Sequence, residues 1–398
     1  MDFEFSDEQC ALKAKVADFG REVLQGRDAD LENGEFPAWL WDAYRKAGFL
    51  KRTVPREYGG DGAPFMDMVI MLEELAKVNA TAAAYLQACA NFPIEFISRL
   101  GSATLKRKYL PRIAAGESII VQALSEPGAG SALTDLKTTA TREGDTYIVD
   151  GLKHYVTFGY AATGMVTFAR FHPQSKGAHG IGAILVDSHT PGYSCVRKQP
   201  NLSAPNGSEA VMALKQCSVP AENVLVDATS NDSHGFNKLM NGYNSQRVGN
   251  ATICLGVAQH ALQLAIGHAR SRRQFGREIC EFQAIQHYIA EAAAKIEASR
   301  WLIYRAAINA AREPLGLPAG DDAAYAKFVA NQMVFEVTDR ALQIFGGAGY
   351  VDNSKIGKLF LFARGESIAG GTIEMQKNLI AARVLGRKFS QRGAAATV

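Results

Sequence analysis

From Val248 onward, Ala251, Leu255, Ala258, Leu262, Ala265 and Ala269 recur every three to four residues, which is one face of a helix. Ile253, Val257, Leu264 and Ile266 occupy the other faces. The helix is therefore apolar nearly all round, and such a helix lies inside a bundle rather than on a surface. Its far end turns cationic, with Arg270, Arg272 and Arg273 ahead of Phe275 and Gly276. That cluster reads as a solvated helix end favoured by the macrodipole, or as a contact with some function of its own.

Around this helix, 398 residues are too many for one compact core and predict two or three domains. Hydrophobic residues at 47% and charged ones at 21% describe an ordinary globular chain. A net charge of +3 with no Lys/Arg block speaks against nucleic acid as a partner. The six cysteines lie far apart with no C-x-x-C spacing, so neither a disulfide framework nor a metal site is expected. The start, Met1-Asp2-Phe3-Glu4-Phe5-Ser6, is acidic and unlike a signal peptide. No apolar run is long enough to span a bilayer. A soluble, cytoplasmic protein without membrane partners is the simplest expectation.

In chain order, Ser6 with Gln9 resembles a capping box for a first helix. A second helix covers 38–47 and stops at Gly48. Helices follow over 65–78, 81–100 and 102–114, with Glu73 and Glu74 read as solvated. The period then changes. Segments 118–123, 164–171, 181–187, 193–198, 210–218 and 224–227 read as strands, and 138–142 with 147–149 as a hairpin about Glu143-Gly144-Asp145. Short strands joined by Gly, Pro, Asn and Ser loops predict a small β-barrel or sandwich. The helical period returns at Gly235 and holds to about Gly386. The expected class is α+β, divided into 1–118, 119–229 and 230–398, with 391–398 disordered.

Four motifs have the residues for chemistry, and each also has a plain structural reading. Ser125-Glu126-Pro127-Gly128-Ala129-Gly130-Ser131 is a glycine-rich loop suited to a polar ring system, or a turn. Lys153-His154-Tyr155-Val156-Thr157 is an aromatic strand able to stack on a flat cofactor, or a core strand; alternation directs His154 away from the Tyr155 face. Gln343-Ile344-Phe345-Gly346-Gly347-Ala348-Gly349-Tyr350 permits close backbone approach, or is a helix C-cap. Ala369-Gly370-Gly371-Thr372 offers N–H groups at a helix start, or joins two helices.

Together and in this order, Leu124 to Ser131, Arg272-Arg273-Gln274-Phe275-Gly276 with Phe282-Gln283, and Gln343 to Tyr350 resemble the acyl-CoA dehydrogenase superfamily. The resemblance implies an N-terminal helical domain, a central β domain and a C-terminal four-helix bundle. It also implies FAD held between subunits of a homotetramer, and an acyl-CoA thioester as substrate. By the same resemblance Ser125 and Thr157 meet the flavin, and Tyr155 stands where the family usually has a tryptophan. Ser131 lies near flavin and pantetheine, and Arg247 helps place the thioester. Arg273, Phe275 and Gln283 hold the adenine side of a neighbour's FAD, Gln343, Gly346 and Gly347 its pyrophosphate, and Thr372 and Glu374 close over the dinucleotide.

The departures concern the base. The family's glutamate falls on Gly370, or in some members on Gln246, which cannot accept a proton at neutral pH. The usual Arg-Asp pair is Leu361-Phe362. Since general base catalysis contributes roughly 10²–10⁴-fold, ordinary dehydrogenation is expected to be slow. The leading expectation is O2-coupled oxidation or oxygenation of an activated, possibly cyclic, acyl group, in the room left by Gly370. A second is a redox-neutral elimination, since the Gln246-Arg247-Val248 and 369–372 stretches look like those of sulfinopropionyl-CoA desulfinase. Segment 79–85 has no Lys or Arg to meet a sulfinate, which counts against it. A third moves the base to Glu366, with an electron-transfer flavoprotein as acceptor. Tyr85 is a candidate acid and acyl-pocket residue, or simply helix packing. A flavin-free binding protein is the alternative outside enzymes.

Overall fold

The computed structural model describes residues 4–172, 174–230, 232–387 and Phe389. The 391–398 tail and Met1 to Phe3 lie outside the described residues. The chain opens with helices α1 (Asp7–Phe19), α2 (Asp28–Glu32), α3 (Ala38–Ala47), α4 (Phe65–Ala76), α5 (Ala80–Leu86), α6 (Phe92–Leu100) and α7 (Ala103–Ala114). The Ser6 capping box forms, with both reciprocal hydrogen bonds present. Gly48 closes α3 in the left-handed region at φ 78°, where the absence of a Cβ removes the steric cost.

Strands follow: β1 (Ile120–Ala123), β2 (Thr139–Glu143), β3 (Thr146–Thr157), β4 (Gly164–Arg170), β5 (Ile181–Asp187), β6 (Tyr193–Gln199), β7 (Glu209–Pro220) and β8 (Val224–Val226). One half is the antiparallel order β6-β7-β3-β2 and the other is β1-β4-β5-β8, with β1 parallel to β4. They join at a single bridge, Thr139 opposite Arg170, making one eight-stranded sheet. Helices α8 (His234–Gly242) and α9 (Asn244–Ser271) then lead to the short hairpin β9 (Arg273–Gln274) and β10 (Arg277–Glu278). Helices α10 (Gln283–Ala310), α11 (Gly320–Phe345), α12 (Lys355–Glu366) and α13 (Ile373–Val384) complete the described chain.

Helix α9 is buried on every face through its first half, from Val248 to Ala258. It packs against α4, α10 and α11. Glycine sets how closely: a Cβ on Gly256 would lie 2.5 Å from the Ala76 Cβ of α4. Helix α4 is itself buried along its whole length, which overturns the solvated reading of Glu73 and Glu74. Glu73 accepts from Tyr304 Oη at 2.6 Å and Gln259 Nε2 at 2.9 Å, and Glu74 from Lys77 Nζ at 2.6 Å. These carboxylates are inside because α9, α10 and the end of α4 itself supply the donors that buried charge requires. The stretch expected as one helix over 81–100 is interrupted by a π-helical turn at Gln87–Asn91, a distortion often found at functional sites.

Candidate active site

The glycine-rich loop after β1 is anchored by a buried ion pair. Lys153 Nζ, from β3, lies 2.7 Å from Glu126 Oε1 and 3.1 Å from the Leu124 carbonyl. The Glu126 carboxylate also accepts the Lys137 and Thr138 amides at 2.6 and 3.0 Å. Burial raises the Glu126 carboxyl, and Lys153 with these donors more than reverses it, holding it below its ordinary value. Gly128 and Gly130 stand clear, with no atom within 4 Å of an added Cβ. Ser125 is half-buried and Ser131 exposed on the rim.

Strand β3 loses its register with β7 between Lys153 and Val156, and Tyr155 adopts φ 55°. A positive φ at a non-glycine residue marks local strain, common beside functional sites. The bulge leaves Tyr155 61% exposed. It also breaks the alternation expected to separate His154 from Tyr155: their rings meet edge to face at 5.2 Å. Thr157, beyond the bulge, turns its Oγ1 to Glu209 on β7.

Farther along the chain, α11 terminates at Phe345 and Gly346 turns at φ 58°. Nothing lies within 4 Å of an added Cβ on Gly346 or Gly347, and Gln343 beside them is exposed. The β9–β10 hairpin presents Arg273 and Phe275, the latter 93% exposed, with Gln283 also exposed. Thr372 caps α13 by accepting the Met375 amide at 3.4 Å, and Glu374 in the first turn is exposed.

The third group surrounds Gly370. With φ 66°, Gly370 would place a Cβ 3.7 Å from Lys327 Cε, 3.8 Å from Lys327 Nζ and 3.9 Å from the Tyr243 hydroxyl. Lys327 of α11 is buried, and its ammonium donates to Asn250 Oδ1 at 2.8 Å and Asn331 Oδ1 at 3.3 Å. Burial pushes it down to about 8. Asn250 in turn donates to the Glu366 carboxylate. Burial raises the Glu366 carboxyl, with Lys327 and Asn250 pulling against the rise. Arg247 lies over the Tyr243 ring at 5.5 Å, donates to Asn244 Oδ1 at 2.6 Å, and leaves its Nε without a partner. Among the described residues no carboxylate acts on Arg247, and only Glu366 on Lys327.

Gln246 is held from the π turn. Gln87 Nε2 donates to Gln246 Oε1 at 2.5 Å and to its main-chain carbonyl at 3.3 Å. Asn91 Nδ2 donates to Gln87 Oε1 at 2.7 Å, which orients the Gln87 amide. A Cβ on Gly249 would sit 2.0 Å from that Gln87 oxygen, so glycine is required for the approach. With its carbonyl oxygen engaged, Gln246 has its N–H2 group left to donate.

Two expectations change here. Tyr85 does not suit an acid: it stacks on Phe158 at 3.8 Å, its hydroxyl donates to the Glu35 carbonyl at 3.3 Å, and burial drives its phenol far upward. Segment 79–85 carries no cation, but Lys327 on α11 stands beside Gly370, and Arg247 on α9 lies over the ring of Tyr243, whose hydroxyl also approaches Gly370. Lys327, Asn250, Tyr243 and Glu209 were missed because no local motif marks them; they meet only through helix packing and strand register.

Residues 6–117, 122–217 and 233–385 match the acyl-CoA dehydrogenase N-terminal, middle and C-terminal domains in turn. The chain belongs to the acyl-CoA dehydrogenase family. Among its relatives, 3-sulfinopropanoyl-CoA desulfinase of Paraburkholderia xenovorans is 34% identical over 99% of this chain and 100% of that protein. An acyl-CoA dehydrogenase of Bacillus subtilis is 32% identical over 96% and 99%. The butyryl-CoA dehydrogenase structure from Megasphaera elsdenii superposes with a TM-score of 0.90, at 32% identity, covering 97% of this chain and 100% of that one. The chain is thus a flavoprotein of that fold, with an acyl-CoA substrate and FAD as its cofactor. The residues fit that group: open glycines at 128, 130, 346 and 347 leave backbone free for close approach, and the exposed Arg273, which donates to the Gly276 carbonyl at 2.8 Å and lies 3.9 Å from Glu278 Oε1, presents a guanidinium of the kind that meets phosphate. Among the described residues no helix is long and apolar enough to cross a membrane.

Proposed function

We propose that this flavoenzyme acts on an acyl-CoA thioester without a carboxylate base at either usual place, in a redox-neutral elimination of the desulfinase kind. The observation carrying this is the polarity of Gln246: its oxygen is taken by Gln87, so it offers N–H donors where a base would need a lone pair. Arg247 and Lys327 add positive charge around Gly370. Donors and cations suit an acyl end that bears a negative group, such as a sulfinate, and stabilise charge developing there. Ser125, Ser131, Tyr155 and Thr157 would hold the flavin on the β side. Arg273, Phe275, Gln283, Gln343, Gly346, Gly347, Thr372 and Glu374 would hold the dinucleotide across subunits. FAD supplies an electron-accepting ring when bound. Phe275 and Tyr350, 93% and 86% exposed, are the surface a homotetramer would cover.

A second reading is O2-coupled oxidation or oxygenation. It is favoured by the missing side chain at Gly370, where even an added Cβ would already be in ordinary contact with Lys327 and Tyr243, so that the glycine leaves more room than a glutamate would. Anaerobic mixing of the yellow protein with neutral and sulfinate- or carboxylate-bearing CoA esters separates the two. Product without loss of flavin absorbance supports elimination. Bleaching followed by rapid recovery in air, with oxygen in the product, supports the O2 reading. Bleaching that yields only to an electron-transfer flavoprotein restores a dehydrogenase with Glu366 as base.

A further inference from the structure

Glu209, at the start of β7, stands directly opposite Thr157 in the β3–β7 register. The Thr157 hydroxyl lies 3.0 Å from its Oε2 and 3.2 Å from Oε1. No cation acts on this carboxyl among the described residues. Thr157 faces it from β3 and Glu366 from α12, and its charge reaches Tyr160 in the turn after β3. On β6 its cross-strand neighbour is Gln199. Lys198, next along, turns its ammonium away to Glu35 Oε1 at 2.9 Å and the Gly34 carbonyl at 2.8 Å. Burial pushes the Glu209 carboxyl up to about 7, against the Thr157 hydrogen bond and with added repulsion from Glu366. Glu366, by contrast, has Asn250 and Lys327 on its side. Two carboxyls that feel each other's charge in unlike surroundings divide into a proton holder and a charged partner.

We propose that Glu209 is the proton store of this site, passing a proton through the Thr157 hydroxyl to the acyl group. The inference rests on the elimination reading. When the C–S bond of a sulfinate breaks with its electron pair left on carbon, sulfur departs as SO2, which water takes up as hydrogensulfite, and a C–H bond must form at that carbon. The Thr157 O–H bond breaks to supply that proton while the Glu209 O–H bond breaks to restore it. Glu209 is left as carboxylate until solvent returns a proton. Glu209 is therefore a positioning residue acting through Thr157, and nothing in the local sequence Gly207-Ser208-Glu209 marks it.

The test uses the FAD-loaded enzyme and its Glu209→Gln and Glu209→Asp variants. Infrared difference spectra across pH 5 to 9 should show a carboxyl band lost near pH 7 in the parent, absent in Glu209→Gln and present in Glu209→Asp. Turnover of the best CoA ester should fall as pH rises through that value. Glu209→Gln should be slower by roughly 10²-fold or more and lose that pH limb, and Glu209→Asp should recover it. A parent spectrum without such a band overturns the proposal, whatever the esters do. So does a Glu209→Gln enzyme with the parent's pH profile. If no ester is converted while the band titrates as expected, the elimination reading fails and Glu209 stands as a proton store for another reaction.

Discussion

The two ends of this site are built on opposite plans. The end proposed to hold the dinucleotide, with Gln343, Gly346, Gly347, Arg273 and Phe275, is exposed and open in a single chain. The end around Gly370 is enclosed, its Lys327, Asn250, Asn331 and Glu366 knitted together by hydrogen bonds. An open end needs a ligand and a second surface to complete it, so it tolerates little change in backbone shape. An enclosed end can exchange one charge for another provided the local balance closes. The family resemblance is accordingly strong at the first and broken at the second.

The largest effect is expected at the glycine-rich loop after β1, whose anchor is a buried pair. Lys153→Met leaves the charged Glu126 inside without its cation. Losing one partner of a buried pair typically costs about 3–5 kcal/mol. Thermal unfolding should show a sharply lowered Tm with weakened FAD retention; an unchanged Tm would break the claim that this pair anchors the loop. Next, Gly346→Val places a β-branched residue at φ 58°, at a cost of roughly 1–2 kcal/mol, and fills the open approach. The purified variant should be near colourless by its flavin-to-protein absorbance ratio, with its fold intact by circular dichroism.

The enclosed end gives a pH signature. Because the folded-state value of Glu209 is raised from 4.5 to about 7, its contribution to stability is full below 4.5 and lost as pH rises through about 7. Melting curves from pH 4.5 to 8 should show that decline in the parent and a shallower one in Glu209→Gln. Smallest of all, Glu374→Gln alters an exposed first-turn residue of α13. It should leave Tm and FAD content unchanged, whereas loss of FAD would show that Glu374 belongs to the open end's essential set.

Most of the frame was legible in the chain. The all-apolar helix from Val248 becomes the buried α9, and the change of period near Ser118 becomes β1 at Ile120. Strand β5 spans 181–187 as its apolar run implies. Glu73 and Glu74 were misread because a carboxylate on a helix looks solvated until the partners of α4 are known. The π turn at Gln87–Asn91 was invisible, since its apolar spacing is that of any helix. That neither usual base position carries a carboxylate is read directly from Gly370 and Gln246. What stands around them was not: Lys327 lies 43 residues before Gly370 in number yet comes within 4 Å of its would-be Cβ. Such contacts are set by tertiary packing rather than local pattern.

The central claim is that no residue here removes an α-proton from the acyl group. The direct measurement is solvent exchange: incubation of holoenzyme with butanoyl-CoA in D2O without oxygen, followed by mass spectrometry of the ester. The account predicts no enzyme-dependent α-deuteration by the parent. It also predicts clear deuteration by Gln246→Glu, where a carboxylate replaces the amide beside Gln87 Nε2. Rapid α-deuteration by the parent, abolished in Glu366→Gln, would contradict the account and make Glu366 the relocated base.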